Sequence, residues 1–499
     1  MEDRETFSSW KTVLLAALAV DVGSGNIWRF PRMAAANGGG AFIVTWLCAL
    51  FLWSIPIIII EYGLGRGTRL GIAGAFGRLH GKGGSINPRY NWVGLFIGSC
   101  TVFIMFYYSV ICGWSFKYFL SSFSGSLYAT DSQLFWDAFT SGYEPVVYHF
   151  AAVLMSCLVV WFGIQKGIER VNRVMVPGLF LLLVVSAVNA IGLEGSGKGL
   201  EFLFNPDWGS LLKYQVWLQG LSQSAWSIGP GWGLILTMGV YVKKREDIVL
   251  NSFMTGLGNN SASLLAGIAV LCTLFSLLPE GEALNVASQG NFGLTFVWIP
   301  KLFMEMRAGS IFGTVFFLGL SFATLSSLII MILLAANVLE DLGLKRKKGV
   351  VIVGIATFVV GLPSAVSVPF LENQDWVWGL GLLIGGVLTA VSAAKYGIRN
   401  FQKEFINTVA GNVRVGKWHE VVVRYLIPIE FFVLIVWWFY QSVTAYDPDG
   451  WYNPLRVYSV ATCLVQWALV LFVIFLSVKW ISAKVLNTMN ARNSSGGEK

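Results

Sequence analysis

The chain has 499 residues, 55% hydrophobic and only 12% charged, with 21 Trp, 36 Phe and a formal charge of +8. That is too apolar for a soluble protein to cover with a watery surface, so the chain belongs in a bilayer. Six Cys without paired spacing in the polar loops and three His near span ends argue against a disulfide or metal framework and against a histidine-based active site; no set for covalent chemistry, and so no enzyme, is legible.

In chain order, apolar runs of about 20 residues, the length that crosses the hydrocarbon core, cover twelve stretches. They are residues 11–36, 41–66, 91–121, 147–164, 168–191, 214–241, 247–278, 309–340, 349–364, 373–396, 421–441 and 455–481. The expected fold is therefore an all-α polytopic membrane protein with 12 transmembrane helices. Glu2, Asp3 and Glu5 precede the first run and no removable signal peptide is recognisable, so the first span is expected to stay. Arg66, Arg69, Arg78, Lys82 and Arg89, then Lys166, Arg170 and Arg173, Lys243 to Arg245 and Lys345 to Lys348 all fall on one side. Asp131, Asp137, Glu144, Glu194, Glu280, Glu282, Asp447 and Asp449 fall on the other. The positive-inside rule puts both termini in the cytoplasm, and the positive charge reflects this topology instead of nucleic-acid binding.

Two spans carry breaks. In "AVDVGSGNIWRFP", residues 19–31, Asp21 follows Lys11 by ten residues, about 15 Å of helix, which is the bilayer midplane. An acid at that depth costs about 2.5–3.5 kcal/mol on insertion scales. Its side chain either faces protein, water or a bound cation, or is satisfied by backbone amides at the break. Gly23, Ser24 and Gly25 loosen the helix there, freeing carbonyls for a cation on one side and amides for an anion on the other. In "QSAWSIGPGWG", residues 223–233, Pro230 removes a donor and clashes with the turn before it, among Gly229, Gly231 and Gly233. Breaks five spans apart are the pattern of a five-helix unit repeated with inverted topology, a 5+5 inverted repeat with unwound first and sixth helices and the site between the repeats. This divides the chain into a cytoplasmic segment (1–10), a first repeat (11–191), an extracellular loop (192–213), a second repeat (214–396), a cytoplasmic loop (397–420), two last helices (421–481) and a cytoplasmic tail (482–499).

"GSGNIWRFP" with "NGGGAF" (37–42), "GIERVNRVMVP" (167–177), "NPDW" (205–208), "SQSAWSIGPGWG", "EDIVLNSF" (246–253) and "FATLSSL" (322–328) together resemble the neurotransmitter:sodium symporter family, especially its bacterial amino-acid transporters, from about residue 4 to residue 480. The resemblance implies two sodium sites. The first would use the Asn26 and Asn259 side chains, the Ser227 hydroxyl and carbonyl, and the Asp21 carbonyl. The second would use the carbonyls of Ala19, Val22 and Ala323 with the hydroxyls of Ser326 and Ser327. A substrate carboxylate would sit on the Ser24 and Gly25 amides, with Tyr108 donating its hydroxyl, and the amine would meet carbonyls around Asp21, Trp226, Ser227 and Gly229. The substrate side chain would lie among Ile104, Tyr108, Trp226, Gly229, Trp232, Ser327 and Met331, an apolar and aromatic pocket suited to a neutral amino acid. The outer gate would pair Arg29 with Asp375 above Trp226. The inner latch would pair Arg4 with Asp341, helped by Tyr241, with Phe7 where the family usually has Trp. Gly167 and Pro177 would let the fifth span unwind at its inner end.

Departures from the family pattern matter. Asp21 stands where a small apolar residue is usual, Val20 where Asn is common, and the acid of the monoamine transporters would fall at Gly23. Ser263 stands where chloride-independent members often carry an acid, and Trp46 takes the place of a chloride-site Tyr. Two expectations stay open: chloride is bound at Gln223, Ser227, Asn259 and Ser263, or Asp21 supplies the compensating charge. The reading is a sodium-coupled symporter importing a neutral, apolar amino acid by alternating access. Its alternative is a sodium- or proton-coupled transporter of an amine or a quaternary ammonium compound such as betaine, held by cation–π attraction. Short termini suggest a multi-pass protein of a prokaryotic plasma membrane, the inner membrane, with a small-molecule substrate and lipid as its partners, no nucleic acid, and a monomeric or homodimeric state.

Overall fold

The computed structural model describes residues 5–288, 290, 292–306, 308–408 and 413–495, and its long elements are all helical. Ser9 starts the first helix by accepting from the Thr12 amide while Thr12 accepts from the Ser9 amide, a reciprocal cap that satisfies two donors. Helix α1 (Trp10–Asp21) then ends, and α2 (Gly25–Ala36) leaves it at a bend of 58°. The helices that follow are α3 (Gly40–Thr68), α4 (Pro88–Phe123), α5 (Glu144–Trp161) and α6 (Ile164–Ile191). The second broken span is α7 (Tyr214–Ser227) and α8 (Leu234–Gly239). After it come α9 (Ile248–Leu277), α10 (Gly309–Asp341), α11 (Arg346–Val366), α12 (Val368–Tyr396) and α13 (Lys417–Tyr446), and last α14 (Val460–Ser495).

Among the described residues ten helices are long and apolar enough to span a membrane, and the bent pair α1–α2 makes an eleventh. The expected sixth span, 214–241, is the one that falls short. Its break divides it into helices of 14 and 6 residues, neither of which crosses alone. The other predicted spans coincide with observed helices to within about five residues except the last, which starts at Val460 instead of 455 and runs on to Ser495, through most of the stretch expected as a tail (482–499).

Burial sorts these helices into a centre and a periphery. Of the apolar stretch of α10, 89% is buried, and of α4 78%, against 28% for α13 and 22% for α14. α4 and α10 make the most extensive helix pairing and form the wall that faces both breaks. The peripheral helices expose rows of large apolar side chains, such as Leu469, Phe472, Phe475 and Leu476 on α14, the surface that lipid solvates and water does not.

The second break is held by one side chain. Glu61, buried in α3, accepts the amides of Gly231 (2.8 Å), Gly233 (3.2 Å) and Leu236 (3.1 Å), which are donors that the interrupted helix leaves free. Gly231 has φ +86°, and a Cβ there would come within 2.2 Å of the Gly386 amide nitrogen on α12, so only glycine fits.

Candidate functional site

Between α1–α2, α4, α7–α8 and α10 lies a cavity of about 160 Å³, roughly ten times what one water needs. At its base stand Ile104, Ser327 and Met331. Tyr108, Trp226, Gly229 and Trp232 form its walls, with the backbone of Asp21 to Asn26 along one side. It continues outward past Arg29 and Tyr107 to Asp375, Trp376 and Trp438. The structure thus brings every expected substrate-pocket residue to one cavity. Trp226 and Trp232 meet edge to face, centroids 6.4 Å apart, and Gly229 at φ +63° turns the chain beneath them. The Ser24 amide donates to the Tyr108 hydroxyl at 3.3 Å, and the Gly25 position opens on free space. A Cβ at Gly23 would touch both Ser327 Oγ and the Tyr108 hydroxyl at 3.0 Å.

Beside the cavity the residues of the expected first sodium site converge. Asn26 Nδ2 donates to Asn259 Oδ1 (2.7 Å), Ser263 Oγ (2.8 Å), Ser227 Oγ (3.2 Å) and the Asn259 carbonyl (3.2 Å). Four acceptors surround an amide nitrogen with two hydrogens. The Asn259 amide atom that faces Asn26 lies 3.0 Å from the Asp21 carbonyl oxygen and 3.2 Å from that of Ser227 as well. A nest so crowded with oxygens, from neutral hard donors, suits an alkali cation once the Asn26 amide turns its oxygen inward. At the expected second site Ser327 Oγ donates to the carbonyls of Val20 (3.1 Å), Ala323 (3.2 Å) and Ala19 (3.4 Å), and Ser326 Oγ donates to Ala323 (3.0 Å). The contact runs to the Val20 carbonyl, not to Val22, because the last turn of α1 presents Val20 to α10.

Several expectations are corrected. The four residues proposed for chloride form two groups. Ser227, Asn259 and Ser263 gather around Asn26, whereas Gln223 donates to the Gly25 carbonyl (3.2 Å) and accepts from Arg29 (3.1 Å). The indole N–H of Trp46 is buried without an acceptor. Arg29 and Asp375 line one cavity but make no direct ion pair. Arg29 binds Ser222 and Gln223 and stacks over Trp226 at 5.1 Å, while Asp375 accepts from the Tyr107 hydroxyl at 2.9 Å. Arg4 lies outside the described residues. Asp341 accepts from the Gly71 amide (2.8 Å) and pairs with Arg492 (3.5 Å) from the end of α14, and the Tyr241 hydroxyl donates to Asn337 at 2.5 Å. The fifth span is wound in this structure, whose inner layer is closed. Residues Ile164–Glu169, Gly167 included, form a wider π-type turn, and a regular helix runs on through Pro177. Gly167 is required because a Cβ would meet the Val159 carbonyl at 2.0 Å.

Sequence reading missed the rest of the inner contacts. Glu5 accepts from the Ile164 (2.9 Å) and Gln165 (2.8 Å) amides and pairs with Arg346 (3.0 Å), which also holds Glu340 (2.8 Å). Burial works against the charged form of Glu5, and those two amides with the Arg346 guanidinium overcome it, holding the carboxyl below its ordinary range. Ser8 is bound to Glu169 and its carbonyl accepts from Lys243 at 2.8 Å. Glu61 was missed too, although an acid within "IIIIEYG" carried the same signal as Asp21.

The chain matches the sodium:neurotransmitter symporter family over residues 4–144 and 144–488. It is 31% identical to an uncharacterised sodium-dependent transporter of Methanocaldococcus jannaschii over 445 residues, 86% of this chain and 89% of that one. It is 27% identical to an uncharacterised sodium-dependent transporter of Haemophilus influenzae, over 87% of this chain and 98% of the relative. Among solved structures, that of MhsT in complex with L-phenylalanine matches with a TM-score of 0.75 and 27% identity, covering 87% of this chain and 99% of that chain.

Proposed function

The chain belongs to the sodium:neurotransmitter symporter family, a family of transporters and not of enzymes, and from that premise we propose that this sodium-dependent transporter imports a neutral amino acid with an apolar or aromatic side chain. The observation that carries the reading is the cavity itself. It is bounded by the backbone at two helix breaks, closed on its sides by Trp226 and Trp232, and floored by Ile104 and Met331. The amides of Ser24, now on the Tyr108 hydroxyl, and of Gly25 suit a carboxylate, and carbonyls at the second break suit an ammonium. MhsT, bound to L-phenylalanine, supports an aromatic solute of this kind. The amine or betaine alternative is less well served. Among the described residues the only carboxylate at this depth along the cavity wall is that of Asp21, and both of its oxygens are buried.

In this reading the nest of Asp21, Asn26, Ser227 and Asn259 and the carbonyl–hydroxyl cluster of Ala19, Val20, Ala323, Ser326 and Ser327 each take one sodium. The breaks belong to a twelve-span 5+5 inverted repeat in the plasma membrane of a prokaryote. Ions and solute bind more tightly in the outward-facing than in the inward-facing state, and tightest once the outer gate shuts over them, so their binding favours closure over Trp226. Inward opening then releases them to a sodium-poor side, so coupling is a difference in affinity between two states. A membrane potential of 100 mV adds about 2.3 kcal/mol per charge moved. Chloride keeps a weak claim, because Gln223 is engaged elsewhere.

A binding screen of the twenty amino acids, betaine and simple amines on the purified protein, in sodium and in potassium, tests the proposal. A thermal shift for apolar or aromatic amino acids only in sodium is expected; equal shifts in potassium, or a response to amines alone, would overturn it.

A further inference from the structure

Helix α4 serves two cavities at one depth. Ile104 and Tyr108 line the solute cavity, while Phe103 and Phe106 line a second, a groove of about 570 Å³, and Tyr107 stands on the wall of both. The volume is that of a small-molecule site. The remaining walls come from α11, from the start of α12, and from the loop and first turns that lead into α14. The groove therefore runs from mid-membrane depth to the outer surface, roughly 15 Å, half of the hydrocarbon core.

Its mouth opens sideways. Val360 on the rim belongs to the exposed apolar row of α11, with Ile352, Ile355 and Val359. It lies six residues, about 9 Å of helix, before the outer end of α11 at Val366. That row is a surface for lipid, so the groove is entered from the outer half of the bilayer, below the headgroups. Phe370 and Leu455, both exposed, carry the rim up to the outer loop. None of the described residues that line the groove has a charged side chain, which leaves an ion or a zwitterion nothing to pair with. Uncharged polar groups gather at its outer end instead. Asn373 donates to the Val457 carbonyl (2.8 Å), and Gln466 donates to Asn373 (3.0 Å) and Thr462 (3.1 Å). Thr462 and Gln466 stand in the first two turns of α14, the level at which ester groups top the acyl chains.

We propose that a lipid of the outer leaflet sends one acyl chain into this groove, onto Phe103 and Phe106, with its ester end against the Asn373–Gln466 cluster. A chain moved there from bulk lipid gains no hydrophobic free energy; it gains close contact with walls on several sides. The chain backs Tyr107, whose hydroxyl donates to Asp375 at 2.9 Å, and Phe103, which stacks on Trp378 of α12 at 4.3 Å. It thus lies directly behind the outer end of the solute cavity.

The test places the full chain in vesicles of phosphatidylethanolamine and phosphatidylglycerol, doped with a phosphatidylethanolamine that carries a diazirine midway along one chain. Irradiation without sodium or organic solute keeps the outcome independent of the transport reading. Mass spectrometry then compares adducts on residues 103–107 with those on 469–476 of α14, which meet bulk lipid. Adducts on 103–107 are expected in the parent, and their ratio to those on 469–476 is expected to fall severalfold in Val360→Trp, which fills the mouth from a position already nearly half exposed. Absence of adducts on 103–107 in the parent, or an unchanged ratio in the variant, overturns the proposal. Labelling of 103–107 by a water-soluble diazirine alcohol but not by the lipid would assign the groove to an aqueous solute and overturn it equally. If Val360→Trp does not fold, Val360→Phe replaces it under the same criteria.

Discussion

The second break rests on one buried carboxylate. Glu61 is fully used: three charge-assisted bonds to amides that the broken sixth span leaves without carbonyls. Bonds of this type contribute about 1.5–3 kcal/mol each, and unpaired buried amides carry a similar penalty. Glu61→Ala strands all three donors, a loss comparable to the whole stability of a folded chain, so no monodisperse protein is expected from it in size-exclusion chromatography. Glu61→Gln keeps one acceptor oxygen for Gly231 and Gly233 but sets an NH2 against the Leu236 amide. It should fold with about 2–3 kcal/mol less stability, read as an earlier thermal transition in detergent; an unchanged transition would mean that the break holds itself. Gly23 makes a different demand. Alanine there forces its methyl against Ser327 Oγ and the Tyr108 hydroxyl, one from the second cation cluster and one from the solute cavity. Gly23→Ala should weaken apparent sodium affinity about tenfold, or about 1.4 kcal/mol, in a sodium titration of tryptophan fluorescence, with little change in melting. A variant that melts early at unchanged sodium affinity would show instead that the crowding is relieved by the backbone.

At the level of the helix, what was legible in the sequence is what local chemistry determines. Spans showed as apolar runs because each must cross hydrocarbon alone, and the breaks showed as Gly23–Gly25 and Gly229–Gly233 because glycine and proline act where they stand. Contacts between distant segments were not legible. Nothing near Glu5 announces that it will accept the Ile164 and Gln165 amides 159 and 160 positions away, nor does Asp375 announce Tyr107, 268 positions before it. The Glu5 contact makes a prediction about the π-type turn at the start of α6. Since the carboxyl is held below its ordinary range, the folded form favours the ionised state. Its stabilisation is present above the ordinary carboxylate value and is lost as pH falls through the depressed one. Amide exchange of residues 164–169, followed by mass spectrometry at neutral pH, should therefore be several-fold faster in Glu5→Gln than in the parent, and the variant-to-parent ratio at matched pH, in which the slower intrinsic exchange in acid cancels, should fall toward one on acidification. Exchange in the parent that is already as fast as in Glu5→Gln would show that the carboxylate does not hold the turn.

Taken as a whole the molecule is asymmetric about its midplane. On the outer side the cavity runs without interruption from Met331 to Trp438, and Arg29 and Asp375 bind other partners. On the inner side Glu5, Arg346 and Glu340 form a chain of ion pairs, Phe7 donates its amide to the Tyr241 carbonyl at 3.1 Å, and Ser8 bridges Glu169 and Lys243. This is an outward-facing arrangement, with the inner layer closed. Helix α14 extends this layer beyond helices α1–α12. Its C-terminal end packs Val485 and Met489 inward and brings Arg492 to the buried carboxylate of Asp341, with a second bond to the Glu340 carbonyl at 2.7 Å. The last helix is thereby fastened to the junction of α10 and α11, where Arg346 also anchors, so opening inward must loosen it. Arg492 is about one-third exposed, and a partly solvated pair contributes on the order of 1 kcal/mol. Removing it should shift the outward–inward equilibrium by no more than about fivefold. Arg492→Ala is therefore expected to weaken apparent sodium affinity by a few-fold and to speed cysteine labelling at an inner-layer position such as Thr6→Cys, without lowering the melting temperature by more than a few degrees. Labelling unchanged from the parent would mean that α14 rides on the inner layer without restraining it.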